Sequence, residues 1–156
     1  MSIKTFGDYK YEVTGNKEIT ILKYIGETDE VTIPDSIKDM PVTKISCSLI
    51  GDAGFCNSER IKTVMIPEGV REIAMMSFAY SKSLERVYIP ASVTEMDGSV
   101  FSNSISLTSI IVDEGNKCFA DSDGVLFNKE KSQLLFFPIG KSYNMPDGDR
   151  INVKRI

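Results

Sequence analysis

The sequence IKTVMIPEGVREI at residues 61–73 returns 23 residues later as LERVYIPASVTEM at residues 84–96. Apolar residues carry the match between the two copies. Phenylalanine recurs at the same interval, as Phe55, Phe78 and Phe101. A period of about 20–50 residues indicates stacked units, each of which buries its apolar face against its neighbours. The repeat therefore predicts a solenoid.

Each unit contains one clear strand signal. Val64 and Ile66 alternate with other residues, as do Val87 and Ile89, and a period of two predicts a short strand with one buried face. Proline follows each pair and ends the strand, because it cannot donate a ladder hydrogen bond. We expect short parallel strands on one face of the solenoid. On the return path we expect turns and a short helical segment at residues 74–79, whose sequence AMMSFA favours helix.

Hairpins are predicted at both ends of the repeat region. Residues 6–25 contain two alternating runs around a turn with Gly and Asn, and this hairpin would cover the first apolar layer. Residues 113–140 leave the repeat register and read as a hairpin insert. We predict a single repeat domain over residues 1–156, with about three repeats at 31–112 and an incomplete terminal repeat at 141–156.

The repeat unit resembles the BspA-like leucine-rich repeat family. The residues that carry the resemblance are Leu84-x-x-Val87-x-Ile89-Pro90-x-x-Val93-x-x-Met96 with Phe101, and the copy from Ile61 to Phe78. Segments 34–43 and 112–141 are also similar to segments of that family. The resemblance implies a solenoid with a parallel sheet along one face. It also implies a role in adhesion or recognition at a cell surface, with a protein or glycan partner.

The family's ladder cysteine falls here on Ser58, Ser81 and Ser104, again 23 residues apart. A hydroxyl can still bond backbone groups that the turn leaves unpaired. We interpret these serines as a structural ladder.

Residues between the inward positions of a strand point outward. Met65, Tyr88 and Ile111 are 23 residues apart and should stack across neighbouring strands, with Thr63 and Arg86 beside them. Two interpretations remain open for this row. Tyrosine and arginine favour a binding face. Alternatively, such residues simply suit strands, or the far hairpin covers them.

Catalytic and metal-binding patterns are weak. The sequence has no histidine, which removes the commonest general base and metal ligand. Asp113, Glu114, Asp121 and Asp123 resemble the start of a calcium loop, but the remaining spaced ligands are missing, so a polar turn is favoured. No nucleotide-binding glycine motif is present. We therefore predict no enzymatic activity, no cofactor and no metal.

Charge and hydropathy restrict the partners. The net charge is −4 and the basic residues are scattered, which argues against nucleic acid. No apolar run reaches the roughly 18 residues of a membrane span. The first eight residues lack an apolar signal region, so either the protein is not secreted or a leader has been removed. The family resemblance implies a cell-surface or secreted protein, and the cytoplasm is the alternative.

The cysteines are Cys47, Cys56 and Cys118, an odd count at uneven spacing that is not typical of a disulfide framework. Whether Cys47 and Cys56 pair stays open. For function we favour a non-enzymatic recognition module of adhesion type that binds through the sheet face. The alternative is a structural or self-associating fragment of a longer repeat array.

Overall fold

A computed structural model describes residues 2–47 and 55–141 of the chain. These residues form fourteen short β-strands and no helix. The strands are β1 (Lys4–Phe6), β2 (Tyr9–Val13), β3 (Ile19–Tyr24), β4 (Glu30–Thr32), β5 (Ser36–Ile37), β6 (Met40–Ile45), β7 (Thr63–Met65), β8 (Glu72–Ile73), β9 (Arg86–Ile89), β10 (Glu95–Met96), β11 (Ser109–Val112), β12 (Phe119–Ser122), β13 (Val125–Asn128) and β14 (Leu134–Phe136). Residues 142–156, most of the predicted incomplete repeat, lie outside the described part.

Two sets of strands pair in parallel along the stack of coils, and each set belongs to a separate sheet. Strands β4, β7, β9 and β11 form the first, and β3, β6, β8 and β10 form the second. Between β7 and β8 the chain turns at Gly69, whose φ of 99° lies in the left-handed region that glycine adopts without strain. The predicted solenoid with parallel strands is confirmed.

The three repeating phenylalanines form a column inside the stack. Phe55 and Phe78 have ring centroids 5.3 Å apart, and Phe78 and Phe101 have centroids 5.9 Å apart. All three rings are almost fully buried. Burial of one such side chain stabilises the fold by about 1.5–3 kcal/mol. Because each ring contacts the equivalent ring of the next coil, the period of the sequence becomes the period of the core.

The N-terminal hairpin extends this column. Strands β2 and β3 pair antiparallel, and β3 then pairs with β6 of the second sheet, so the hairpin continues that sheet. The ring centroids of Tyr24 and Phe55 are 6.3 Å apart, and those of Tyr9 and Tyr24 are 5.3 Å apart. The Tyr9 hydroxyl donates a hydrogen bond to the carbonyl oxygen of Thr32 at 2.7 Å. Burial, with smaller contributions from Tyr24 and Asp8, raises the pKa of Tyr9 to about 12.

The predicted helical segment at residues 74–79 is wrong, because this stretch forms turns. Two of its backbone donors bond to neighbouring coils: Ala74 N donates to Ile45 O at 2.9 Å, and Phe78 N donates to Val100 O at 3.0 Å. Met76 also has a φ of 56°, which interrupts a right-handed helix. A run of six residues gains too little to nucleate a helix against these bonds.

One left-handed position repeats in every described return path. Asn57, Tyr80 and Asn103 are 23 residues apart and have φ values of 56°, 57° and 57°. Asparagine is among the residues that tolerate this conformation best, whereas a bulky tyrosine is strained there. The middle coil therefore has a strained, exposed residue, Tyr80, where the coils on either side have asparagine.

Candidate functional site

The first sheet presents an outward face made of two rows. Met65, Tyr88 and Ile111 lie opposite one another on β7, β9 and β11. Thr63 and Arg86 belong to the second row on the same strands. Since neighbouring strands are about 4.8 Å apart, three of them span roughly 10 Å.

Burial of the alternate residues fixes which side chains face outward. Val64, Val87 and Ile110 are fully buried beneath the sheet. Met65 on the outer side is 47% exposed, and Arg86 is also exposed. Tyr88, Ile111 and Thr63 are half-buried. The structure thus brings all five predicted residues onto one accessible face.

Sequence reasoning missed the part of this face that lies on β4. Thr32 pairs with Met65, and Glu30 pairs with Thr63, so the two rows continue across a fourth strand. The signal was available, because Val31-Thr32-Ile33-Pro34 matches Val64-Met65-Ile66-Pro67. The longer first coil obscured it. The face therefore spans four strands, and both added residues are exposed.

Strands β12, β13 and β14 pair antiparallel in a three-stranded sheet, and the hairpin formed by β12 and β13 seals the edge of the first sheet. The backbone nitrogen of Ile110 donates to the carbonyl oxygen of Gly124 at 2.9 Å, and that of Val112 donates to Oδ1 of Asp121 at 2.8 Å. A further coil would otherwise supply these acceptors. Gly124 approaches so closely that a Cβ atom there would lie 2.6 Å from Oγ of Ser109. The hairpin abuts β11 at its edge, and Met65 remains exposed two strands away.

The three ladder serines have two different environments. The buried Ser81 donates from Oγ to Phe55 O at 2.6 Å, and the buried Ser104 donates to Phe78 O at 2.7 Å. Each bond crosses from one coil to the preceding coil. Ser58 is only half-buried, and its Oγ accepts hydrogen bonds from the backbone nitrogens of residues 60 and 61 in its own turn.

The acidic residues near the hairpin have structural partners. Asp113 Oδ1 accepts a hydrogen bond from Gly115 N at 2.7 Å, and Asp123 forms an ion pair with Lys141 at 2.9 Å. Oδ1 of Asp121 accepts the hydrogen bond from the backbone nitrogen of Val112 at the sheet edge. Across residues 2–47 and 55–141, no group of three or more His, Cys, Asp or Glu side chains is placed to hold a metal ion.

Two ion pairs that join different parts of the stack lower the pKa of their carboxyl groups. Arg71 donates to Oε1 of Glu18 at 2.7 Å, and this hydrogen bond lowers the pKa of Glu18 below its usual value of 4.5. Lys82 bonds Glu59 at 2.9 Å and likewise lowers the pKa of that carboxyl. Such exposed pairs contribute little to stability.

A groove of about 800 Å³ lies beside the second sheet, away from the two rows. Its lining includes Cys47, Cys56, Met75, Met76 and Tyr80. The Sγ atoms of Cys47 and Cys56 are 3.1 Å apart, so the structure brings together the two thiols whose pairing the sequence left open. Cys56 is buried, whereas Cys47 is partly exposed.

A family model described as a BspA type leucine rich repeat region, in 6 copies, matches residues 29–124. The chain belongs to this family. BspA-type repeats generally serve in recognition or adhesion. A search of curated proteins finds no match.

Solved structures agree with this assignment. A leucine-rich repeat protein from T. pallidum is similar at 25% identity with a TM-score of 0.60, covering 67% of this chain and 47% of its own. One from Bacteroides capillosus is similar at 25% identity with a TM-score of 0.53, covering 72% of this chain and 99% of its own. One from Bacteroides ovatus, at 24% identity and a TM-score of 0.57, shares the fold. The BspA-type chain thus spans about half of the T. pallidum protein and nearly all of the B. capillosus one.

Within the described residues of this BspA-type chain, no helix has the length and apolarity that a membrane crossing requires.

Proposed function

We propose that the protein is a non-enzymatic recognition module of cell-surface adhesion type, which binds a protein or a glycan through the face of the first sheet. The observation that carries the proposal is the row of Met65, Tyr88 and Ile111, which lie side by side and are accessible on an otherwise regular sheet. Arg86 stands next to Tyr88 on the same strand. Family membership supports a recognition role in general terms.

The chemistry of the row suits contact rather than catalysis. Tyr88 offers a rigid ring with a hydroxyl, and Met65 offers a flexible thioether that adapts to a partner's shape. Arg86 adds planar donors for carboxylates or carbonyl groups. The rows lie on the outer face of the first sheet, and solenoids present extended surfaces of this kind to macromolecules. The lack of histidine in the sequence also favours a non-enzymatic role.

Replacing Met65 and Tyr88 together with serine tests the proposal. Both side chains are at least partly exposed, so we expect the M65S/Y88S variant to fold with a nearly unchanged melting temperature. Binding would be measured by surface plasmon resonance on immobilised extracellular-matrix proteins and by an array of purified glycans. The matched control is Ile105→Ser, because Ile105 is 57% exposed but lies outside the sheet.

We expect the double variant to lose at least tenfold in affinity for whichever probe binds the wild-type protein, in line with the loss of two contact residues. I105S should bind like the wild type. If M65S/Y88S binds as tightly as the wild type, or if I105S loses as much, the sheet face is not the binding surface.

The alternative is a structural or self-associating part of a longer repeat array. The observation that favours it is the T. pallidum protein, of which this chain spans 47%. Light scattering of the isolated chain separates the two functions. A monomer that binds a probe supports recognition. A dimer or larger species that M65S/Y88S dissociates supports self-association through the same row.

A further inference from the structure

We propose that Cys47 and Cys56 form a reversible disulfide, which makes this corner of the solenoid an oxidation site. The inference rests on the position of the two sulfur atoms and is independent of the sheet face. Their separation of 3.1 Å has to shrink by only about 1 Å to reach the length of a disulfide bond.

Neither cysteine belongs to a strand. Cys47 lies two residues beyond the end of β6, and Cys56 lies in the turn that carries Phe55. Small rotations of the two side chains can therefore bring the sulfurs together without breaking a sheet hydrogen bond. Cys118 is far away in sequence and near β12, and it is not part of this pair.

Exposure assigns an order to the two thiols. Both line the groove of about 800 Å³, so a small oxidant can enter from solvent. Cys47 is partly exposed and Cys56 is 7% exposed. Since thiol–disulfide exchange requires access to the attacking sulfur, Cys47 reacts first and Cys56 resolves the intermediate.

The oxidant is a small disulfide such as oxidised glutathione, and the reaction balances as two exchanges. The Cys47 thiolate attacks one sulfur of the oxidant, whose S–S bond breaks, and one thiol leaves. The Cys56 thiolate then attacks the mixed disulfide at Cys47, and the second thiol leaves. The two cysteines lose two electrons and two protons, and these appear in the two released thiols.

The new bond would close a loop of ten residues and join the end of β6 to the start of the phenylalanine-bearing turn. Closing a loop lowers the entropy of the unfolded chain and so stabilises the folded state. Oxidation therefore makes this corner more resistant to unfolding, and reduction releases it.

The test uses the complete chain in mixtures of reduced and oxidised glutathione. Thiols are counted with Ellman's reagent under denaturing conditions, and peptides are mapped by mass spectrometry without reduction. We expect the count to fall from three to one, with Cys47 and Cys56 linked and Cys118 intact. The oxidised protein should melt at least about 5 °C higher. Addition of dithiothreitol should restore three thiols and the original melting temperature.

Single variants check the order of attack. Cys56→Ser should stop at a glutathione adduct on Cys47. Cys47→Ser should react at Cys56 more slowly, on the order of tenfold, because that thiol is buried. Cys118→Ser should still lose two thiols and is the control. Three thiols remaining in oxidised glutathione, stable adducts without a link, or a link that involves Cys118 would each overturn the proposal. The wild-type count and map decide the question even if a variant fails to fold.

Discussion

Removal of the buried ladder hydroxyls tests how adjacent coils are joined. Ser81 and Ser104 each donate a hydrogen bond to a carbonyl of the preceding coil, at 2.6 and 2.7 Å. Alanine at either position deprives that carbonyl of this donor within a buried region. Loss of one partner from a buried hydrogen bond costs about 1–3 kcal/mol. We expect S81A and S104A each to lower the free energy of unfolding by about that amount, against a total of about 5–15 kcal/mol for a domain.

Ser58 provides a matched control within the same ladder. Its Oγ accepts hydrogen bonds from its own turn, at 3.1 and 3.3 Å, and the residue is half-buried. Water can replace such an acceptor, so S58A should cost less than about 1 kcal/mol. The three variants carry the same chemical change at equivalent positions of successive coils, and only the environment differs.

Urea denaturation followed by circular dichroism measures the effect. The midpoint should fall for S81A and S104A while the slope with urea stays constant, because the surface exposed on unfolding is unchanged. A cysteine at position 104 keeps a weak donor, so S104C should fall between the wild type and S104A. If S58A costs as much as S81A and S104A, or if both buried variants cost less than about 0.5 kcal/mol, the ladder does not join the coils.

Backbone strain and protonation lead to three further expectations. Tyr80→Asn should raise the free energy of unfolding by about 1 kcal/mol, because Asn tolerates the left-handed conformation better; a melting temperature at or below the wild-type value contradicts this. The Arg71 hydrogen bond lowers the pKa of Glu18, so the stability it gives is present above pH 4.5 and is lost as pH falls through the lowered value. Glu18→Gln should remove that part of the acid dependence. If the urea midpoints of the variant and the wild type change with pH in the same way, the expectation is refuted. Burial raises the pKa of Tyr9 to about 12, so its contribution to the free energy of unfolding is present below about pH 10 and is lost as pH rises towards 12. In an ultraviolet titration, Tyr9→Phe should remove the phenolate step that occurs at the highest pH. An unchanged titration would argue against this assignment.

The repeat predicted the core because one physical requirement sets both. A residue that recurs every 23 positions returns to the same place in each coil, and an apolar residue at an inward place packs against its equivalents in the neighbouring coils. Phe55, Phe78 and Phe101 therefore form a column. The outward direction of Met65 and Tyr88 follows from the alternation of a strand whose other residues are buried.

Other features depend on tertiary contacts that local sequence does not encode. Residues 74–79 have good helix formers, but Ala74 N and Phe78 N donate to carbonyl oxygens of neighbouring coils. Thr32 escaped the prediction of the sheet face because ten extra residues separate Ile33 from Phe55, compared with the later coils.

The backbone hydrogen bonds between successive coils have a mechanical consequence. Bonds such as those from Phe78 N and Tyr80 N run from one coil to the next, so they lie along the stack. A pull along that direction loads the boundary between two coils at a time, because each unit contacts only its neighbours. We therefore expect single coils to separate from the stack one after another at low force. The solenoid would then extend under tension as a compliant spring rather than resist as a stiff rod.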